Sequence, residues 1–297
     1  MMELRVLKYF LTVAQEGSIT RAAEILHVTQ PTLSRQLINL EEELGTALFK
    51  RDRQQTLLTD SGILFEQRAR EIVSLADKTE REFIAQKVQT GGVVSIGCVE
   101  STSMRLLPGL LKDFSQIYPL VQYDLYSGSW DDIREKIDRG LIDIGFLTEP
   151  AEIAKYESFS LLQREEWGLL MRADDPLAQM AAVHMEELAK LPLIIPKRGL
   201  LQREIASWSG QLEFEQLHIL STYNILFSAI LLVKQGIGYG VCLRGAGDIH
   251  NDGSIRFVPF SPKKTAGNIL IWKRNRGFNP ATALLVDFIK TQTKLIP

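Results

Sequence analysis

The chain has 297 residues, of which 45% are hydrophobic and 24% charged, and its formal net charge is −2. This length and apolar content predict two or three packed units and exclude an intrinsically disordered chain. No apolar run approaches the length of a membrane span, and Met1 to Leu4 begin a helix instead of an export signal, so we expect a cytoplasmic protein.

Two short amphipathic helices are predicted near the start of the chain. The first extends from Leu4 to Gln15 and ends at Gly17, where a helix can stop without steric cost. Its apolar residues recur every three to four positions in one stripe: Leu4, Leu7, Phe10, Leu11 and Ala14. Ser18 is a candidate N-cap for the second helix, Ile19 to Leu26. The segment His27 to Thr29 then turns the chain into a third helix.

The third helix is predicted from Gln30 to Leu44, with the Thr29 hydroxyl as its cap and Pro31 in the first turn. Leucines four, three and four residues apart share its buried face: Leu33, Leu37, Leu40 and Leu44. The opposite face carries side chains that bind phosphates or read base edges: Gln30, Thr32, Ser34, Arg35 and Asn39. In a helix-turn-helix, the N-terminal end of this helix enters the major groove. Each feature alone is typical of an ordinary core or solvated face, and only their order and spacing together favour DNA binding.

Residues 47–59 are apolar at both ends and charged at the centre, which predicts a two-stranded wing. Lys50 and Arg53 are placed to lie along a phosphate backbone, although such charges are also common in an ordinary surface turn. Residues 1–90 contain 12 basic and 13 acidic side chains. A positive field that attracts DNA therefore has to be local.

A long helix is predicted from Asp60 to about Val88, because this stretch contains no proline and a single glycine. Its apolar seam alternates spacings of four and three: Phe65, Ala69, Ile72, Ala76, Thr79 and Phe83. Such a seam pairs helices, so we predict that two protomers join here and present two winged helices to two half-sites. The alternative is a lone amphipathic helix that lies on its own domain.

After a break at residues 90–92, strand and helix patterns alternate through the rest of the chain. The first set consists of the strand Val93–Val99, the helix Met104–Tyr118, the strand Val121–Tyr126, the helix Asp131–Arg139 and the strand Ile142–Leu147. The second set starts near Phe159, with Trp167–Met171, Leu193–Ile195, the helix Leu201–Trp208, His218–Ser221, the helix Asn224–Gln235 and Tyr239–Leu243. The strand Asn268–Trp272 and the helix Ala281–Thr291 return to the first set. This rhythm predicts an α/β fold with parallel sheets, divided into two lobes with a cleft between them.

Ligands of parallel sheets bind beyond the carboxyl ends of the strands, where loops lead into helix N-termini. Such loops hold the candidate effector-binding residues Ser101, Thr102, Ser103, Gly128, Ser129, Thr148, Pro196, Lys197 and Thr222. Serine and threonine at helix starts more often cap their own helix, which is the alternative interpretation. Lys197 and Arg198 add positive charge near the cleft and slightly favour an anionic effector.

The sequence predicts no catalytic, metal or cofactor site. Cys98 and Cys242 stand in apolar strand-like runs, which favours buried packing, with a redox switch as the alternative. The four histidines have no ligand spacing, and neither a GxSxG nor a GxxxxGK motif is present. The glycines of residues 236–240 follow a helix and precede a strand, the reverse of a dinucleotide-binding fingerprint. We therefore do not expect an enzyme.

Motifs throughout the first 62 residues share one family pattern. They are Leu7 to Phe10, Val13 to Ser18, Ala22-Ala23, Gln30 to Gln36, Leu40 to Gly45, Leu48-Phe49, Arg51 and Leu58 to Gly62. In these motifs the chain resembles the LysR-type transcriptional regulators. A looser similarity to that family's effector-binding domain, and to periplasmic binding proteins, rests on Pro108 with Phe114 and on residues 140–144, 175–178 and 233–238. Many family members carry additional basic residues where this chain has Ile38, Asn39, Gln54, Gln55 and Leu57, so we expect weaker nonspecific DNA binding.

The resemblance implies a winged helix-turn-helix at residues 1–59, a linker helix and hinge at 60–90, and an effector-binding domain at 91–297. Lobe I of that domain comprises about 91–158 and 267–297, and lobe II about 159–266. Candidate DNA-contacting residues are Ser18, Thr20, Thr29, Gln30, Pro31, Thr32, Ser34, Arg35, Lys50 and Arg53. By resemblance, effector contacts cluster near Ser101, Thr102, Ser129, Thr148, Pro196 and Thr222, and the assembly is a dimer or a homotetramer.

The prediction is a regulator that binds double-stranded DNA and is repositioned by a small-molecule effector. Two alternatives stay open at this point. One is an α/β solute-binding or enzymatic domain whose N-terminal helices serve only for assembly, and the other is an architectural DNA protein without an effector.

Overall fold

A computed structural model describes the chain at residues 2–51, 55–85, 91–101, 103–208, 217–249 and 252–293. The chain divides into two compact units, Met1–Phe83 and Ile84–Pro297. Helices dominate the first unit, whereas strands and helices alternate in the second. The predicted α/β class is confirmed.

Three short helices, a two-stranded wing and a long helix make up the first unit. They are α1 (Leu4–Glu16), α2 (Ile19–Ile25), α3 (Gln30–Leu44), β1 (Phe49–Arg51), β2 (Thr56–Leu58) and α4 (Asp60–Ala85). The Ser18 hydroxyl accepts a hydrogen bond from the Arg21 backbone N–H at 3.4 Å, and Thr29 accepts one from Thr32 at the same distance. Both predicted N-caps are therefore present, and the predicted bounds of α3 are correct. α1 ends one residue later and α2 one residue earlier than predicted.

The core of the first unit contains side chains from every helix and from the start of the wing. Its buried members are Val6, Leu7, Phe10, Val13, Ala22, Ala23, Leu33, Leu37, Leu40, Leu48 and Ala69. The stripe predicted on α1 is wrong at its edges, because Leu4 is exposed while Val6 and Val13 are buried. Both candidate rows share Leu7 and Phe10, so spacing alone does not separate them. The buried row is the one that contains Val6 and Val13, because the other helices pack against that side of α1.

The last leucine of the predicted α3 face is also placed wrongly. Leu44 is 41% exposed, whereas Leu40 is buried. α3 ends at this residue, and Gly45 turns the chain with a φ of +66°. The side chain at the end of the helix therefore extends past the core instead of into it.

The wing is an antiparallel pair in which Phe49 lies opposite Leu58. The tip at residues 52–54, including the predicted phosphate contact Arg53, lies outside the described residues. The Gly17 carbonyl accepts a hydrogen bond from Thr56 N–H at 2.9 Å, which joins the wing to the turn between α1 and α2. A side chain at Gly62 would meet the Leu48 carbonyl oxygen at 2.1 Å, so only glycine fits where α4 passes the wing.

The seam predicted along α4 is divided between two environments. Phe65 packs into the core of its own unit, with its ring centroid 4.9 Å from that of Phe10, and Ala69 is buried beside it. This part follows the alternative interpretation of a helix lying on its own domain. The predicted seam residue Ile72 is instead exposed, together with Leu64 and Leu75, on another side of the helix. The Phe83 side chain and the predicted end near residue 88 lie outside the described residues.

The second unit consists of two lobes, each built on a mixed sheet with three parallel strands along one side. Lobe I contains β3 (Gly92–Cys98), α5 (Ser103–Ile117), β4 (Val121–Ser127), α6 (Trp130–Asp138) and β5 (Ile144–Thr148). After the long strand β6 (Tyr156–Arg172), lobe II contains β7 (Val183–His184), β8 (Leu193–Pro196), α7 (Gly199–Trp208), β9 (Ile219–Tyr223), α8 (Leu226–Lys234), β10 (Tyr239–Leu243), α9 (Arg244–Ile249) and β11 (Ile255–Ser261). The strand β12 (Thr265–Lys273) and the helix α10 (Pro280–Thr293) return to lobe I.

Each sheet combines three neighbouring parallel strands with strands that join them in antiparallel pairs. The order is β4-β3-β5-β12-β6 in lobe I and β9-β8-β10-β6-β11-β7 in lobe II. The three parallel strands are β3 to β5 in lobe I and β8 to β10 in lobe II, and at the other side of lobe II β11 also pairs in parallel with the short β7. The prediction of parallel sheets therefore holds for one side of each sheet, and the strands that join this side are antiparallel. Sequence patterns also missed α9, β7 and β11.

The strand β6 belongs to both sheets. Its first part pairs with β12 from Tyr156 onward, and its last part pairs with β10 and β11 up to Arg172. The pairing shifts register between Gly267 and Asn268 on β12. The Glu149 carboxylate braces this irregularity, since it accepts hydrogen bonds from the Gly267 N–H and from Arg164, both at 3.1 Å.

Candidate nucleic-acid interface and effector cavity

The outward face of α3 is polar and accessible. Gln30, Pro31, Thr32, Arg35 and Asn39 are exposed, and Ser34 is half-buried. The opposite face is fixed in the core by Leu33, Leu37 and Leu40, each no more than 3% exposed. The hydrophobic core therefore holds the helix by one side and leaves the polar side free for a partner.

Arg35 is the cation best placed on this face. Among the described residues, no carboxylate forms an ion pair with it, whereas Arg21 on α2 pairs with Glu16 at 3.2 Å. A guanidinium without a competing carboxylate can donate its hydrogen bonds to phosphate or to a base edge.

The hydroxyl groups at the start of α3 already have partners within the protein. Thr29 Oγ1 lies 2.8 Å from Thr32 Oγ1 and accepts from the Thr32 N–H, so these side chains cap the helix. Ser18 likewise caps α2 and is half-buried, while Thr20 is exposed on the same helix. On the wing, Lys50 is exposed. Capping does not exclude a DNA contact, because a hydroxyl keeps further donor and acceptor capacity.

Sequence reasoning missed the residue that fixes the wing to α3. Glu41 Oε1 accepts hydrogen bonds from the backbone N–H groups of Leu48 at 2.7 Å and Phe49 at 3.0 Å. One carboxylate on α3 thus holds the first residues of the wing. The only indication of this role in the sequence is that Glu41 directly follows Leu40, a residue of the buried face of α3.

A cavity of about 300 Å³ lies between the lobes of the second unit. Its lining comes from the carboxyl ends of parallel strands in both sheets and from the residues that follow them. The lining residues are Val99, Glu100, Gly128, Ser129, Trp130, Asp131, Thr148, Trp167, Pro196, Lys197, Arg198, Gly199, Leu201, Tyr223, Asn224, Ile225, Leu226, Cys242, Leu243 and Ala246.

The structure brings part of the predicted effector set to this cavity. The residues that line it are Gly128, Ser129, Thr148, Pro196 and Lys197. Ser101 is fully buried and does not line the cavity. Thr222 does not line it either, whereas the four residues that follow Thr222 do. Thr102 and the side chain of Ser103 lie outside the described residues.

Ser129 acts as a helix cap in this structure. Its hydroxyl donates to Asp132 Oδ2 at 2.6 Å and accepts from the Asp132 N–H at 3.3 Å, which completes a capping box at the start of α6. The structure therefore shows the alternative interpretation, in which Ser129 caps its own helix. Any ligand contact at Ser129 has to coexist with the cap.

Sequence reasoning missed the groups that connect the lobes across the cavity. The Glu100 carboxylate, after β3, accepts a hydrogen bond from the Leu226 N–H at the start of α8. The Arg198 guanidinium, after β8, lies over the Trp130 ring with 4.1 Å between its central carbon and the ring centroid. From the sequence, Arg198 is expected only to add positive charge near the cleft. Its pairing with Trp130 depends on the meeting of two lobes, which no local pattern reveals.

The charges of the lining are balanced. Lys197 and Arg198 are accompanied by Glu100 and Asp131, so net charge alone does not select an anionic ligand. Burial lowers the pKa of Arg198 below its usual value, with Asp131 acting in the opposite direction. Arg198 is therefore partly buried, in an environment where charge interactions are stronger than in bulk water.

Neither cysteine has the environment of a reactive thiol. Both are free and buried, and burial raises the pKa of Cys98 to about 12 and that of Cys242 further. Thiols held in the neutral form are poor nucleophiles. Cys242 lines the cavity, and the Tyr223 hydroxyl beside it donates to the Val241 carbonyl at 2.7 Å. The structure thus agrees with the packing interpretation of both cysteines.

The described residues contain no group of three or more potential metal ligands. Across the same part of the chain, none of the helices is long and apolar enough to cross a membrane.

Two family models match the chain, one in each unit. The model described as "LysR substrate binding domain" matches residues 87–294, and that described as "Bacterial regulatory helix-turn-helix protein, lysR family" matches residues 4–63. The Hca operon transcriptional activator HcaR of Escherichia coli (strain K12) is 32% identical over 298 residues, which cover 99% of this chain and 94% of that protein.

Solved structures show the same fold. A crystal structure of full-length CbnR complexed with its target DNA matches with a TM-score of 0.75 at 23% identity, over 98% of this chain and 99% of that chain. Full-length BenM matches with a TM-score of 0.57 at 26% identity, over 99% and 97% of the two chains.

Proposed function

Because the chain belongs to the LysR family of transcriptional regulators, we propose that it binds promoter DNA as a dimer or tetramer and responds to a small molecule in the cavity. Family membership makes it a DNA-binding regulator with an effector-binding domain and not an enzyme. This decides against the solute-binding or enzymatic alternative. We assign residues 1–59 to DNA binding, 60–90 to the linker and 91–297 to effector binding. A regulator of promoters acts where the DNA is, so we propose a cytoplasmic location.

The main support for a DNA interface is the exposed polar face of α3, which lies opposite its buried leucines. We propose that Arg35 binds phosphate or a base edge and that Gln30 reads base edges from the N-terminal end of the helix. Supporting contacts are assigned to Ser18, Thr20, Thr29, Pro31, Thr32, Ser34, Lys50 and Arg53. The solved CbnR complex contains DNA, which agrees with this assignment for a protein of the same fold.

We propose that protomers pair through the exposed row of α4. Leu64, Ile72 and Leu75 lie eight and three residues apart and are 59%, 41% and 41% exposed. This spacing places them on one side of the helix, and burying them against a partner removes apolar surface from water. A second contact between effector-binding domains, as in other family members, would make the tetramer.

We propose that the effector occupies the cavity between the lobes. The support is its position at the carboxyl ends of parallel strands from both lobes, where ligands of such sheets bind. Gly128, Ser129, Thr148, Pro196 and Lys197 are the predicted residues that the lining includes. An effector changes DNA binding only through different affinities for two arrangements of the protein.

Gel shifts with the full-length chain test the DNA-binding part. A duplex selected from a random-sequence pool is compared with a scrambled duplex at several salt concentrations. Arg35→Ala is expected to weaken specific binding roughly tenfold, since a contact of this kind contributes about 1–3 kcal/mol. Arg5→Ala is the matched control, because it removes an exposed arginine of α1 that pairs with Glu3, the residue before this helix.

Retardation that is absent, or equal for both duplexes, contradicts the proposal. The architectural alternative predicts a different outcome, in which binding is sequence-dependent but unchanged across a panel of metabolites. A metabolite that changes both the footprint and the melting temperature supports the regulator.

A further inference from the structure

Two contacts between the lobes span the effector cavity, one made by an acidic side chain and the other by a basic side chain. At one, the lobe I carboxylate of Glu100 accepts from the Leu226 N–H of lobe II. At the other, the lobe II guanidinium of Arg198 lies over the lobe I ring of Trp130. What these contacts imply about the ligand depends on the proposed function of the cavity as the effector site.

The start of α8 already has an anion of the protein's own. Helix N-termini attract negative charge because their first N–H groups have no partner within the helix. Here Glu100 accepts from the N–H of Leu226, and the preceding N–H of Ile225 donates to Asn224 Oδ1 at 3.0 Å. A ligand carboxylate at this helix would have to displace Glu100 and would meet its like charge.

Arg198 and Trp130, by contrast, have hydrogen-bond donors to offer. Arg198 is half-buried, and among the described residues it has the ring contact with Trp130 but no hydrogen-bond acceptor. Trp130 is 6% exposed, and its indole Nε1–H has no acceptor in the described part of the chain. Buried donors without acceptors are destabilising, and a ligand oxygen that accepts from them relieves this cost.

The rest of the lining favours an apolar body. Trp167, Leu201, Leu226 and Leu243 contribute hydrophobic surface to the cavity. A volume of about 300 Å³ is at the small end of the range for ligand pockets. The occupant is therefore a small molecule whose apolar part fills the space beside one polar anchor.

We propose that Arg198 and Trp130 form an oxyanion-binding subsite and that the cavity takes a small apolar monocarboxylate. The carboxylate accepts from the Arg198 fork and from the Trp130 N–H, and the body packs on the apolar lining. Glu100 and Asp131, which also line the cavity, repel a second carboxylate. The site thus distinguishes a monocarboxylate both from its uncharged amide and from a dicarboxylate.

Three matched probes test this selectivity on the full-length chain: phenylacetate, phenylacetamide and phenylmalonate. Melting temperature and calorimetric titration are measured for each. Phenylacetate is expected to raise the melting temperature of the wild type, while the amide and the dicarboxylate bind at least about tenfold more weakly.

Variants then locate the subsite. Arg198→Gln is expected to weaken phenylacetate binding at least about tenfold, and Trp130→Phe, which keeps an aromatic ring but removes the N–H, about fivefold. Arg198→Lys keeps the charge without the fork and is expected to fall between wild type and Arg198→Gln. Arg256→Gln removes an exposed arginine of β11 outside the cavity and is the control for net charge.

Folding of each variant is checked by its melting temperature without ligand. The proposal is overturned if no phenylacetate binding is detected at millimolar concentration, if binding survives Arg198→Gln and Trp130→Phe, or if phenylmalonate binds as well as phenylacetate. Gel shifts on the same preparations separate this outcome from a failure of the proposed function. Intact sequence-specific DNA binding with Arg198-independent ligand binding contradicts only the subsite.

Discussion

The polar face of α3 and the effector cavity are built from very different lengths of chain. The α3 face lies within one helix, between Gln30 and Asn39, and its orientation follows from leucines on the same helix. The cavity takes residues from Val99 to Ala246, and its defining contacts join side chains of different lobes. A surface on one helix is thus specified by caps and periodicity, whereas a cavity is specified by how separate sheets meet.

The largest expected effect concerns the contact between lobes. Glu100→Ala leaves the Leu226 N–H without its acceptor, and we expect the free energy of unfolding of the second unit to fall by about 1.5–3 kcal/mol. Glu100→Gln keeps an accepting oxygen and should lose less. Urea unfolding of both variants measures the difference. Equal stability of Glu100→Ala and wild type would show that this contact between lobes does not stabilise the unit.

A smaller effect is expected for a cap of the local kind. Thr29→Ala removes the acceptor of the Thr32 N–H and should reduce the free energy of unfolding of the first unit by about 1 kcal/mol. Thr29→Ser keeps the hydroxyl and serves as the control. Hydrogen exchange of the α3 amides reports the change. If exchange is unaltered by Thr29→Ala, the helix does not depend on its cap.

The smallest effect is a pH dependence in lobe II. Hydrogen bonds from Lys263 and Arg244, at 2.7 and 2.9 Å, lower the pKa of Glu166 below its ordinary value of 4.5. A lowered folded-state pKa stabilises the protein above the ordinary value, and this contribution is lost as the pH falls through the folded value. Unfolding measured on both sides of pH 4.5 should therefore show a weaker acid dependence for Glu166→Gln than for wild type. An identical acid dependence of the two proteins would show that Glu166 does not contribute to the pH dependence of stability.

The local parts of the fold could be predicted well from sequence. Thr29 and Gly45 mark the two ends of α3, because each acts on backbone groups of its own turn. The predicted face of the same helix fails only at Leu44, whose burial depends on where the rest of the unit ends. On α4 the division between Phe65 and Ile72 likewise depends on which side its own core covers.

Long-range features of the second unit were not predictable in the same way. The polar residues 163–166 interrupt the apolar pattern of β6, so its continuity through both sheets is visible only in the structure. Gly128 and Ser129 could be anticipated at the cavity because they directly follow a strand. Glu100, Trp130 and Arg198 could not, because each acquires its contact only when the lobes come together.

The strand shared by both sheets restricts how the cavity can change size. β6 continues without a break from lobe I into lobe II. Any rotation of one lobe against the other must be absorbed by the backbone torsions of residues 162–163 and by the irregularity between Gly267 and Asn268. A ligand that changes the angle between the lobes consequently acts by selecting among the backbone torsions that this crossing allows.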